Sequence, residues 1–379
     1  MFEQVVNFIK DLYGNPASVP LHEPRFIGNE KSYVTGCIDS TFVSSVGEYV
    51  NRFESMVADY VGAKYAVATV NGTSALHAAL IVAGIGRDEE VLTQALTFVA
   101  TSNAIVYAGG RPVFIDSDRD TFGMSPEKLE EFLRTCTVQK DDGCYNKKSG
   151  CKIRACVPVH IFGHPVKIDL IRDICDRRRI VLIEDAAESL GSFYKGKHTG
   201  TFGSLGVLSF NGNKIITTGG GGMIITDDKD LARRAKHITT TSRLPHKWIF
   251  VHDEVGYNYR MPNINAALGC AQMEQLPVFL ESKRTIAKHY RNFFEKHDIP
   301  FFVEPANARS NYWLNAIILK DKAERDAFLE YANTNGVMAR PIWALMNSLE
   351  MYKGCQNMSL DNAVWLEERV VNIPSSARV

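Results

Sequence analysis

The sequence predicts an α/β protein with a mostly parallel sheet flanked by helices and a smaller C-terminal α+β unit. Three observations predict it. From about residue 64 onward, short β-branched apolar runs alternate with helix-period stretches, the pattern of strands joined by crossover helices. After Pro262 a long helical pattern leads into a strand, NYWLNAIIL, and a helix, AERDAFLEYANTNG, that ends on Gly336. The 379 residues are 45% hydrophobic and 23% charged, a soluble globular composition with length for one large domain and a smaller one.

MFEQVVNFIKDLYG places Phe2, Val5, Val6, Ile9, Leu12 and Tyr13 on one stripe of an amphipathic helix expected to dock on the rest of the chain. It lacks the basic start and unbroken apolar block of a signal peptide, so a cytoplasmic protein is expected. The strand runs are KYAVATV, EEVLTQ, RPVFIDS, IRACVPVHIFG, RRRIVLIEDAAES, GVLSF and GGMIITDD, which predicts at least six strands. The polar stretch TVQKDDGCYNKKSGCK reads as an exposed loop. A helix is expected from Lys229 to Thr240, and residues 243–260, without clear periodicity, read as a working surface loop or an interface. The long helix is expected to break near Pro277. The expected division is an N-terminal helix and lead-in over 1–30, a large domain over 31–255 and a small domain over 256–379.

Forty-three basic side chains balance 43 acidic ones, which gives no long-range positive field for nucleic acid or anionic lipid. No window approaches about 18 uninterrupted apolar residues, so no membrane span is expected. Eight cysteines lack CxxC pairs and zinc-type His spacing, which predicts reduced, packed thiols and no metal site.

In open α/β sheets ligands lie beyond the carboxyl ends of the strands. Asn71-Gly72-Thr73-Ser74 opens a helix after KYAVATV and suits either a phosphate or a plain helix cap. Glu184 and Asp185 end a buried strand, with Glu188 three residues on. Such acids form a salt bridge or cap, or keep a heterocyclic nitrogen protonated. Lys214 follows GVLSF and precedes four consecutive glycines, Gly219 to Gly222. The P-loop pattern and a strand-linked GxGxxG are both absent, which counts against nucleotide hydrolysis and nicotinamide binding. An anion cradle, a strand-end carboxylate and a strand-end lysine together meet the needs of pyridoxal phosphate, and Phe98 is placed to cover its ring.

The ordered stretches NGTSALHAAL, TFVATSNAI, PVHIFGHP, IEDAAES, SFNGNK, GGGGMI and GYNYRMPNINAALG resemble, over nearly the whole chain, the DegT/StrS-type nucleotide-sugar aminotransferases. The resemblance implies the type I aminotransferase fold, pyridoxal 5′-phosphate and a homodimer with active sites at the interface. By position it implies Lys214 as the Schiff-base lysine and Asp185 as the partner of the pyridine nitrogen. It implies Gly72, Thr73 and Ser209 as phosphate ligands, Phe98 stacked on the ring, and Asn258 reaching the cofactor of the neighbouring subunit. Glu188, and also His164, stands where relatives often have Gln; the implied contact of Glu188 is the ring hydroxyl oxygen. Lys214, where dehydrating members have His, implies transamination with L-glutamate as donor.

PLHEPRFIGNEK, DSTFVSSVGEYV, SNYWLNAI and RPIWALMN look like the subgroup that aminates C4 of UDP-2-acetamido-2,6-dideoxy-4-keto-glucose towards bacillosamine or legionaminic acid. The alternative is a C3 or C4 aminotransferase of a dTDP- or GDP-linked keto sugar. Candidate groups for the diphosphate are Arg25, Arg243, His246, Lys247 and His252; Ser44 and Ser45, in a Gly-bounded loop, either bond the sugar or the cofactor region or form a simple turn; Tyr312, Trp313, Asn315 and Trp343 either border the sugar or nucleotide or are core, and of these Tyr312 and Asn315 are taken as site candidates.

Overall fold

Residues 1–379 are described by a computed structural model. Its central sheet is built on seven strands: β1 (Tyr65–Thr69), β2 (Glu90–Gln94), β3 (Arg111–Ile115), β4 (Lys152–Val157), β5 (Val181–Asp185), β6 (Leu205–Ser209) and β7 (Gly222–Thr226). Their order is β1-β7-β6-β5-β4-β2-β3. The pairings from β6 to β3 are all parallel, whereas β7 runs antiparallel to both β1 and β6. The parallel strands therefore end at one edge of the sheet.

Strands buried on both faces read as continuous apolar runs because successive side chains go to opposite layers. Val91, Val157 and Ile183 pack in the layer of α4 (Gly72–Val82), while their neighbours Leu92, Cys156 and Leu182 pack with α6 (Pro126–Cys136) and α7 (Ile168–Arg178). The stretch read as an exposed loop is instead a hairpin, Thr137–Lys140 and Gly143–Asn146, added beside β4. Its Asp-Asp-Gly turn and the burial of Cys144 on the inner face account for the difference. All eight cysteines are free.

Helix α9 (Asn263–Lys296) passes through Pro277 without a break. Leu276, Phe279 and Leu280 are buried around that turn, and their packing offsets the lost backbone bond. The first half of α9 packs on Phe53 of α3 (Glu48–Val61). Its second half packs through Ile286, Tyr290 and Phe294 on Val5, Ile9 and Leu12 of α1 (Phe2–Leu12) and Phe328 of α10 (Lys322–Thr334). The small antiparallel sheet comprises β8 (Asn315–Ile318), β9 (Arg340–Pro341) and β10 (Val370–Ile373), with β10 in the middle. No helix is long and apolar enough to cross a membrane.

A loop at 198–203 lies against the sheet so closely that a Cβ on Gly206 of β6 would fall 1.9 Å from the Gly200 carbonyl oxygen. Backbone cannot yield as a side-chain tip can. Gly206→Ala should therefore lower stability by about 3 kcal/mol or prevent folding, measured as the urea midpoint of unfolding.

Candidate active site

The carboxyl ends of β1, β5 and β6 meet at a cavity of ≈ 340 Å³. On one side, Asn71 caps α4 by accepting the Ser74 N–H at 2.7 Å. The N–H groups of Gly72 and Thr73 precede the first intrahelical donor, the Ala75 N–H, so they are free for an anion. Ser209 closes this cradle: a Cβ on Gly72 would lie 2.9 Å from the Ser209 Cβ. The glycine run serves the same turn, since a Cβ on Gly222 would lie 2.4 Å from the Asn71 carbonyl oxygen.

Strand alternation separates the two acids that end β5. Glu184 points away from the cavity and accepts N–H groups from Gly200 at 2.8 Å, Phe202 at 2.5 Å and Gly203 at 2.7 Å, with His160 Nε2 at 3.1 Å. It is a structural clamp on the loop. Asp185 lines the cavity, accepting the Thr101 hydroxyl at 2.8 Å and the Ala187 N–H at 3.2 Å. Burial pushes its carboxyl above the usual range, against the pull of those bonds and of Lys214. Asp185 thus keeps capacity for a cationic N–H.

Glu188 has one oxygen on the Phe162 N–H at 2.8 Å and the other 3.4 Å from Lys214 Nζ. Burial raises its carboxyl also, with Lys214 opposing. Lys214 Nζ lies 3.8 Å from the centre of the Trp313 ring. Phe98, 53% exposed, faces Trp343 with ring centres 6.4 Å apart, and both line the cavity.

One cavity thus gathers Gly72, Thr73, Phe98, Asp185, Glu188, Ser209 and Lys214. An anion cradle that excludes a Cβ, an aromatic face, a buried acid and an amine fit pyridoxal 5′-phosphate as a donor set. The other candidates lie elsewhere. Asn258 is exposed outside the cavity, its backbone bridged to Thr240. Ser44 and Ser45 sit in the loop before α3, where the Ser44 carbonyl accepts the Asn263 N–H. Arg243 covers the Phe250 ring at 3.8 Å, and a His252 ring nitrogen is 2.7 Å from the Thr241 carbonyl oxygen, both on an exposed excursion.

Three further substrate candidates also lie outside this chain's cavity. Arg25 lines a separate groove, paired with Glu23 at 2.8 Å and donating to the Ala377 carbonyl at 3.0 Å. Tyr312 packs edge-on against His164, with ring centres 5.0 Å apart, and its hydroxyl accepts the Glu304 N–H. Asn315 is buried and donates to Ser375 Oγ at 3.0 Å. None of the three lines the cavity. Trp313, Trp343 and Thr101 do; both tryptophans stand in SNYWLNAI and RPIWALMN, whereas Thr101 was not singled out, although it stands one helical turn after Phe98.

Comparison with known proteins shows the family. The model of the DegT/DnrJ/EryC1/StrS aminotransferase family matches residues 25–379. A GDP-perosamine synthase of Escherichia coli O157:H7 is 36% identical, over 94% of this chain and 93% of the relative. The putative pyridoxal phosphate-dependent aminotransferase EpsN of Bacillus subtilis is 38% identical, over 88% and 83%. Among solved structures, the aminotransferase TlmJ of Streptoalloteichus hindustanus superposes with a TM-score of 0.86 at 26% identity, covering 94% of this chain and 93% of that one.

Gly72→Ala should lower cofactor content at least tenfold after dialysis, with unchanged circular dichroism, because the added methyl meets Ser209 inside the cradle. A second outcome concerns His164, whose ring is buried with neither nitrogen partnered; burial, helped by Arg284, pushes its pKa down to about 3. The unfolded state binds the proton first as pH falls below about 6.5, so stability declines from there towards the folded pKa. The loss from this group should reach about 2 kcal/mol at pH 5, and urea midpoints of a His164→Gln variant should be flatter over the same range.

Proposed function

The chain belongs to the DegT/DnrJ/EryC1/StrS aminotransferase family and is a pyridoxal phosphate-dependent sugar aminotransferase, and from that premise we propose that it moves the amino group of L-glutamate to the C4 ketone of a GDP-linked 6-deoxy keto sugar. The observation that carries the transferase part is the convergence of Lys214, Asp185 and the Gly72–Ser209 cradle in one cavity. The similarity to GDP-perosamine synthases supports the GDP-linked sugar over other nucleotides. A second reading, the UDP-linked 2-acetamido-2,6-dideoxy-4-keto-hexose, is favoured by the four peptides that resemble that subgroup.

When bound, pyridoxal phosphate supplies the electron sink for transamination. Gly72, Thr73 and Ser209 would hold the phosphate, and Asp185, braced by Thr101, would accept the pyridine N–H. Phe98 would cover one ring face and keep water from it. Lys214 would hold the cofactor at Nζ and would be the base that holds or gives up the proton in the site, with Glu188 3.4 Å from that amine. A homodimer fits two features: Asn258 is outside its own chain's cavity, and the excursion beside it exposes Trp248 (73%), Phe250 (69%) and Val255 (82%). In that assembly Arg243, His252, Ser44 and Ser45 are the groups we assign to the partner's nucleotide sugar.

The test follows absorbance and product mass as cofactor-loaded protein meets L-glutamate and then GDP-, UDP- or dTDP-linked keto sugars. Loss of the lysine-bound absorbance with glutamate, and its return with the GDP sugar to give an amino sugar, is expected. Return only with another nucleotide overturns the substrate assignment. Lys214→Ala should lose turnover by roughly 1,000-fold or more, and near-normal turnover would remove Lys214 from its role.

A further inference from the structure

Trp313 reaches the site from the lead-in to the small sheet, and its contacts converge on Lys214. The indole face lies 3.8 Å from Lys214 Nζ, within the range of a cation–π contact. Its Nε1–H donates at 2.6 Å to the carbonyl of Asn213, the residue immediately before the lysine. The ring is therefore tied to the backbone from which Lys214 springs, and cannot turn away without orphaning a buried donor.

The backbone of Trp313 is equally constrained. Its N–H donates to Asn311 Oδ1 at 2.7 Å, and Asn311 Nδ2 donates to the carbonyls of Glu188 and Leu190, each at 2.9 Å. A Cβ on Gly163 would fall 1.8 Å from Asn311 Oδ1, so Gly163 makes room for this strut. Between them Tyr312 adopts φ +48, a left-handed conformation unusual for a side-chain-bearing residue, which sends Tyr312 to His164 and Trp313 to the cavity. Glu188 stands 3.4 Å from Lys214 Nζ. The Asn311 strut thus links the two groups that touch the amine.

We propose that Trp313 is a positioning residue for Lys214: its locked indole face, together with Glu188, holds Nζ at one place beside the reacting carbon each time the lysine is released. The inference rests on the role given to Lys214 above. A lysine side chain has four rotatable bonds, and a base that serves two proton shifts at one carbon gains from having few places to go. A wall for the sugar would not need an Nε1–H bond to the lysine's own turn.

The test uses cofactor-loaded wild type, Trp313→Leu, which removes the face, and Trp313→Phe, which keeps a face but loses the Asn213 bond. Borohydride reduction and peptide mass first establish whether the cofactor is fixed on Lys214. Its absence there would fail the underlying reading and not this one. With the adduct present, the single-turnover step with L-glutamate alone should slow roughly 3- to 30-fold in Trp313→Leu and less in Trp313→Phe. KM for the nucleotide sugar should stay within about twofold. Cofactor-free Trp313→Leu should also acquire the lysine-bound absorbance more slowly when pyridoxal phosphate is added. An unchanged glutamate step with a raised sugar KM would overturn the proposal in favour of a substrate wall. Equal losses in both variants, with lowered melting temperatures, would overturn it in favour of a packing role.

Discussion

Two carboxylates end the same buried strand, and strand geometry sends them to opposite faces. Neither location is tolerable for an unanswered charge. Glu184 is answered within the chain, by three backbone N–H groups and His160, and in being answered it pins the 198–203 loop against β5 and β6. Asp185 is answered only in part, by one hydroxyl and one amide. The fold thus completes one acid and leaves its neighbour in need of a cationic partner, and the surrounding cavity is shaped for a molecule that carries one.

The remaining parts of the site arrive from distant stretches of chain because the parallel strands share an edge. The phosphate cradle needs α4 to begin where β1 ends, and it needs glycine at 72 and 222 for the turn, β6 and β7 to approach. Lys214 needs the turn after β6. Trp313 and Trp343, from the chain that follows α9, complete the lining.

Much of this was legible in the residues. The seven strand runs, the helix-opening Asn71-Gly72-Thr73, and the strand-end acid and lysine each carry a local signature of their chemistry. What could not be read lies where tertiary structure chooses among equivalent neighbours. In SNYWLNAI nothing local says that Tyr312 takes a left-handed backbone, yet that one residue decides that Trp313 and not Tyr312 enters the cavity. Asn315 falls on a strand, and period-two alternation with the Ser375 contact takes it into the core. Arg25 was a candidate because a diphosphate needs cations, but charge balance carries no information about place. Pro277 was read as a break because the cost of a helical proline is local, whereas the packing that offsets it comes from residues far away in sequence.

The unbroken course of α9 has a mechanical consequence. At 1.5 Å per residue its 34 residues make a rod of roughly 50 Å, clamped at one end by α3 and at the other by α1 and α10. A continuous helix offers no hinge within its length, and the elements packed along it can shift only by its bending or by small sliding of packed helices.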